Sequence, residues 1–411
     1  MNLAENIPVW MNQDFFDKVI RFIEKDQAAK VTKFDVNPGS KAGENFASAI
    51  FRSSITYKSK YSKDAKTISV IIKVKPVLGP EMAAYSEIIE KSKFFETEMA
   101  FYGKILPDIQ SLMLSAGDKD VLSPKLLYQS NEPSPVIVME DVCVDDFTVI
   151  NYPPTDFEVS RKIIQRLAKI HAGTFYLISE NKLDPTAFSQ SIFEIPSTAE
   201  MIYGNTLEHF ASILNDWKGY EKYAEKFKPL RKTYLSKVLK TYKPNRSEFG
   251  YNVINHADFH IRNLLFKKTK DGSIEDFLFI DFQLCNYATP AIDLIYAMYH
   301  VLSEENRQTR RDEFIVSYYK QFVESLKAFG YMKSPPSLTD LHIELLKNGI
   351  LEVLLCVCNT SIYYYDFSTV KHEDFLVEDG VKNFMKKLFE TPAFKAMLQK
   401  ELPRFLYNGF I

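Results

Sequence analysis

A period-two alternation runs through Ile68-Ser69-Val70-Ile71-Ile72-Lys73-Val74-Lys75. It sets Ile68, Val70, Ile72 and Val74 on one face and Lys73 and Lys75 on the other, and so predicts a strand that ends before Pro76. Phe46 to Tyr57 and Val136 to Met139 read as further strands, the latter entered by the turn Asn131-Glu132-Pro133-Ser134-Pro135. Between them Phe94, Phe95, Phe101, Tyr102 and Leu106 recur at helical spacing, with Pro107 marking the stop. From Tyr152-Pro153-Pro154 onward the period becomes helical. Thr155-Asp156-Phe157-Glu158 reads as a capping box opening a helix whose apolar stripe carries Ile163, Ile164, Leu167, His171 and Phe175. The strand pattern returns once, as two apolar runs, Leu264 to Lys268 and Phe277 to Ile280, joined through the two-residue hairpin signal Asp271-Gly272. The change of period predicts an α+β chain in two lobes: a smaller strand-rich lobe over 1–139, a linker over 140–151 and a larger, mainly helical lobe over 152–411.

That hairpin is flanked by polar residues that suggest chemistry. His256-Ala257-Asp258-Phe259-His260-Ile261-Arg262-Asn263 precedes it and Asp281-Phe282-Gln283 follows it, so Asn263 and Asp281 fall at the same end of the hairpin. Phosphoryl transfer from ATP needs a carboxylate beside the attacking hydroxyl and oxygen ligands for Mg2+. Asp258 supplies the former, Asn263 and Asp281 the latter; magnesium takes carboxylate and amide oxygens and needs no His/Cys set. His256 reads as orienting the loop, while His260 faces either substrate or solvent. His171, on an apolar stripe, reads as a packed and hydrogen-bonded core residue.

Lys73 is the strand lysine suited to phosphates, since Lys75 precedes a proline. An acidic partner is available at Glu96 or Glu98, about 200° apart on a helix, and the spacing alone does not choose between them. The turn-rich segment Asn37 to Asn45, before the first long strand, offers backbone N–H groups to phosphates but has neither a three-glycine pattern nor G-x-x-x-x-G-K-[ST].

These residues together resemble the ecdysteroid kinase-like family, also described as choline kinase-like, within the aminoglycoside phosphotransferase branch of the protein kinase-like superfamily. The resemblance runs through Ile7-Pro8-Val9-Trp10-Met11, Gly43-Glu44-Asn45-Phe46-Ala47-Ser48, Ile72-Lys73-Val74 and Glu98-Met99-Ala100-Phe101-Tyr102. It continues through Val138-Met139-Glu140-Asp141-Val142, His171-Ala172, the loop from His256 to Asn263, Asp281-Phe282-Gln283 and Pro290-Ala291-Ile292-Asp293-Leu294. It implies a two-lobed protein kinase-like fold with a small antiparallel-sheet N-lobe and a larger helical C-lobe. It implies Glu98 as the partner of Lys73, nucleotide contacts at Gly43, Asn45 and Ser48, and a hinge from Glu140 to Val142 that meets the adenine. Asp293 becomes a buried brace for the catalytic loop. The expected reaction is ATP-dependent phosphorylation of a hydroxyl group on a small-molecule alcohol, an ecdysteroid or related hydrophobic alcohol. Choline, ethanolamine or a xenobiotic is the alternative acceptor, and a non-catalytic ligand-sequestering protein the alternative role. Ala257 departs from the family, which usually has glycine there, a difference that matters if the position needs positive φ.

Composition narrows the partners. With 51 Lys and Arg against 53 Asp and Glu in 411 residues, net charge is -2 and no basic stripe points to nucleic acid. The start lacks a basic and apolar leader pattern, and Ile350 to Cys358 is too short to span a bilayer, so no membrane insertion and a cytoplasmic location are expected. Cys143, Cys285, Cys356 and Cys358 read as free thiols in a reducing compartment. Aromatic residues, 14% of the chain, include Tyr363-Tyr364-Tyr365; such runs serve either an apolar acceptor pocket or the core.

Overall fold

The computed structural model describes residues 7–39, 48–76, 88–245, 251–366 and 380–411. The chain divides into two compact units, one formed by Met1–Leu114, Asp118–Val149 and Leu264–Gln283, the other by Ser115–Gly117, Ile150–Asn263 and Leu284–Ile411. The class is α+β: an antiparallel sheet in the N-terminal region and a largely helical remainder.

In the first unit, helix α1 (Gln13–Glu24) is followed by strands β1 (Lys30–Phe34), β2 (Asn37–Pro38), β3 (Ala49–Lys58) and β4 (Lys66–Val74). Helix α2 (Phe94–Ala100) and α3 (Leu106–Ser115) come next, then β5 (Leu126–Ser130), β6 (Val136–Glu140) and β7 (Phe147–Val149). The main sheet has the order β1-β3-β4-β6-β5, with β2 paired to β3, and every pairing is antiparallel. One of its faces is the core: Phe51, Ile55, Val70, Ile72 and Val138 pack with Phe15, Phe16, Val19 and Ile20 of α1. Alternation along β4 then turns Ser69, Ile71 and Lys73 to the other face.

Pro107 does not stop the helix. A π-turn over Phe101–Ile105 links α2 to α3, with Leu106 N–H bonded to Phe101 C=O, and the helix runs on to Ser115. Proline removes one N–H and crowds the carbonyl four residues back, and the wider turn before it relieves both.

In the second unit, α4 (Phe157–Ser179) begins one residue later than the capping-box reading expects: the N-cap is Asp156, whose carboxylate accepts the Glu158 N–H at 2.9 Å. Further along lie β8 (Val253–Asn255), β9 (Leu264–Lys268) and β10 (Ile274–Phe279), then β11 (Asn286–Ala288) paired with β8. Of these, β9 and β10 belong to the first unit, where β9 pairs with both β10 and β7. The β9–β10 turn is a three-residue loop rather than a two-residue one. The Gly272 N–H bonds Thr269 C=O at 3.0 Å, the Thr269 N–H bonds Ser273 C=O at 2.9 Å, and Gly272 has φ +87°. This is a turn closed by a glycine bulge, which Asp-Gly serves as well as the shorter turn. Helices α5 (Ala291–His300) and α6 (Arg311–Ala328) follow. Among the described residues no helix is long and apolar enough to cross a membrane, and all four cysteines are free.

Candidate active site

Lys73, next to last in β4, is 4% exposed, and its Nζ lies 2.6 Å from Glu98 Oε2 and 2.5 Å from Asp281 Oδ1. Glu98 on α2 is buried, whereas Glu96 is exposed. Burial works against the Lys73 charge, but the carboxylates of Asp281 and Glu98 outweigh it and hold the ammonium above its ordinary pKa. Burial pushes the Glu98 carboxyl up to about 7; Lys73 pulls it down, and Asp281 adds repulsion. Two carboxylates thus meet a single buried ammonium, at 2.6 Å and 2.5 Å.

Asp281 itself has φ +69°, a left-handed conformation that costs a non-glycine residue about 1 kcal/mol or more. Neighbours hold it there. Phe282 stacks on Phe101 with ring centroids 4.3 Å apart and meets the edge of Tyr102 at 5.2 Å, while Gln283 Nε2 donates to Asp281 Oδ2 at 3.3 Å.

Ser48, just before β3, is buried, whereas Gly43 and Asn45 lie outside the described residues. Glu140 ends β6, exchanging bonds with Lys125: its N–H donates to Lys125 C=O at 3.0 Å and its Oε1 accepts the Lys125 N–H at 2.8 Å. Val142 opens a short 3-10 turn, Val142–Asp145, capped by Asp141.

In the second unit, the loop after β8 is braced by Asp293 on α5. Its Oδ2 accepts the His256 N–H at 2.6 Å and its Oδ1 the Ala257 N–H at 2.8 Å. Asp293 Oδ2 also lies 3.1 Å from His171 Nε2, and His171 Nδ1 lies 2.8 Å from the Tyr318 hydroxyl. An imidazole protonated on Nε2 satisfies both contacts, donating to the carboxylate and accepting from the phenol. His171 is thus a core residue, fully buried. Ala257 has φ +62°, so the position does require the left-handed conformation that glycine adopts freely.

Asp258 follows. Asn263 Nδ2 donates to its backbone oxygen at 2.9 Å and to its Oδ2 at 3.2 Å, and His260 Nε2 lies 3.5 Å from Oδ2. Burial works to raise the Asp258 carboxyl, but His260, His256 and the Asn263 bond prevail and hold it well below the usual carboxylate range. The side chain keeps 27% exposure, so an ionised oxygen remains within reach of a ligand. Behind it, burial pushes the His300 imidazole down to about 3, and its Nδ1 lies 3.1 Å from the Tyr363 hydroxyl. Tyr364 stacks on Phe394 at 5.3 Å and donates to Glu304 at 2.9 Å, so this part of the tyrosine run serves packing.

Each unit carries an oxygen donor of the kind magnesium takes. Among the described residues no cluster of three or more His, Cys, Asp or Glu side chains is arranged for a metal. In the first unit the Asp281 carboxylate is partly exposed, and in the second the Asn263 amide nitrogen is engaged by Asp258; carboxylate and amide oxygens are hard donors of the kind Mg2+ accepts alongside phosphate and water.

A strand lysine paired to a helical glutamate on an antiparallel sheet, with a mainly helical second unit, marks a kinase-like protein. The sequence matches the model of the ecdysteroid kinase-like family over residues 42–331, and the chain belongs to that family. No curated protein matches it. Among solved structures it is similar to the GDP complex of wild-type aminoglycoside 2'-phosphotransferase-IIIa, with 10% identity, TM-score 0.39, and coverage of 93% of this chain and 99% of that one. A point mutant of the same enzyme with GDP gives 11% identity, TM-score 0.38, and coverage of 95% and 98%.

Two participants escape sequence reasoning. Arg52 and Ser69 both contact Asp141, Arg52 Nε at 2.8 Å and Ser69 Oγ at 2.7 Å. An aspartate immediately after a strand is the only signal, since it is a common turn cap.

Proposed function

We propose that the protein is an ATP-dependent small-molecule kinase that phosphorylates a hydroxyl group, with an ecdysteroid or related hydrophobic alcohol as acceptor. The observation that carries this reading is the buried Lys73 ammonium held at 2.6 Å by Glu98 and at 2.5 Å by Asp281, in a chain of the ecdysteroid kinase-like family.

In this reading the Lys73 ammonium, fixed by Glu98, binds phosphate oxygens, and the backbone from Glu140 to Val142 meets the adenine. Gly43, Asn45 and Ser48 belong to the segment that covers the phosphates. Asn263 and Asp281 hold Mg2+, which when bound supplies charge neutralisation for the phosphate oxygens. Asp258, ionised at neutral pH, accepts a hydrogen bond from the acceptor hydroxyl and aims its lone pair. The hydroxyl oxygen forms a bond to the γ-phosphorus, the bond from that phosphorus to the bridging oxygen of ADP breaks, and the proton passes to Asp258. Because the neighbours depress its pKa, Asp258 is a weak base whose contribution is mainly orientation, with proton transfer late.

Asp258→Asn should lower turnover by at least about a hundredfold while Mg-ATP affinity stays within about threefold of native, as expected for a group acting on the acceptor. Turnover at the native level in that variant would refute Asp258 as the base.

A further inference from the structure

Asp141 follows β6 by one residue and is 3% exposed. Its carboxylate is met from three segments: Arg52 of β3 pairs with it, Nε 2.8 Å from Oδ2 and Nη2 donating to Oδ1 at 3.4 Å, Ser69 Oγ of β4 donates at 2.7 Å and the Cys143 N–H at 3.2 Å. Strand register explains the meeting. Val70 pairs with Glu140, so Ser69 faces the place one step past the ladder, where Asp141 stands; Arg52 lies on the adjacent strand, paired with Ile71. Ser69 and Lys73 are four residues apart on the same face of β4, which places the carboxylate lock roughly 13 Å along the strand from the lysine.

Burying a carboxylate costs desolvation that an apolar pair at a strand end would avoid. What the charge adds here is direction: it fixes the backbone at Val142 and Cys143 against both β3 and β4. The geometry points to Arg52, Ser69 and Asp141 as positioning residues for the base end of the nucleotide. They set the path of the Glu140–Val142 backbone, while anchoring of the phosphates at Lys73 is independent of them. The inference rests on the kinase reading and adds a division of labour along one face of the sheet.

The test compares two ligands of the full chain by calorimetry: Mg-ATP, which needs both ends, and magnesium tripolyphosphate, which needs only the lysine end. Asp141→Asn should weaken ATP about tenfold and Ser69→Ala about threefold, the loss of one hydrogen bond, with tripolyphosphate affinity within about twofold of native for both. Ser69→Ala leaves no buried charge unpaired, so it keeps the test open if Asp141→Asn does not fold. Equal weakening of both ligands, or ATP affinity unchanged, would overturn the assignment. A native protein that bound neither ligand would instead refute the kinase reading beneath it.

Discussion

Ala257 stands at φ +62° with its N–H bonded to Asp293, one residue before the proposed base. A methyl group in that conformation costs about 1–2 kcal/mol, and glycine would return about 0.5–1 kcal/mol of that as added freedom of the unfolded chain. Ala257→Gly should therefore be neutral to stabilising by about 1 kcal/mol in urea denaturation. A loss greater than about 1 kcal/mol would mean that the methyl group packs better than its backbone suffers. Nothing in the sequence marks this residue as strained, because alanine reads as neutral in any local pattern. Only the resemblance to a family with glycine there raises the question, and the dihedral answers it. Asp281 teaches the same lesson: its place after a strand is legible, its φ of +69° is not, because tertiary contacts at Phe282 and Gln283 impose it.

Elements were legible where one face is buried. The alternation along β4 identified Lys73 as the side chain opposite the core, and the apolar stripe of α4 identified His171 as core. Where the reading slipped, local chemistry had two solutions of similar cost: a helix ended or widened by Pro107, a hairpin turn of two residues or three, an N-cap at Thr155 or Asp156. The choice between Glu96 and Glu98 needed the helix's rotation about its axis, which depends on packing rather than on spacing. At this scale α5 holds the loop after β8, proposed to carry the base, through one carboxylate that accepts two backbone N–H groups. Asp293→Asn keeps the shape but replaces one acceptor with a donor, leaving a buried N–H facing an NH2 group. A destabilisation of about 2–4 kcal/mol is expected in denaturant titration. A variant as stable as native would show that the loop does not depend on the brace.

Across the whole molecule, buried histidine sets part of the acid sensitivity. Burial holds His300 down at about 3, whereas the unfolded chain takes up a proton near 6.5. The stability from keeping this imidazole neutral is fully present above about pH 6.5 and declines as pH falls toward 3, because only the unfolded state then binds the proton. Native protein should lose about 2–3 kcal/mol from this group between roughly pH 7 and pH 4.5, and His300→Gln should flatten the profile over that window. Identical acid profiles for the two proteins would contradict the burial argument.

At the same scale, the kinase reading joins residues distant in sequence, and one experiment tests it most directly. Purified protein is incubated with Mg-ATP and a panel of ecdysteroids, choline, ethanolamine and hydroxylated xenobiotics, with Asp258→Asn in parallel, and phosphorylated products are sought by mass spectrometry. The account predicts a phosphate ester on a hydrophobic alcohol, formed by the native protein and at most about one hundredth as fast by the variant. A product formed equally by both proteins, or no phosphate ester on any member of the panel from a protein that binds Mg-ATP, would contradict it.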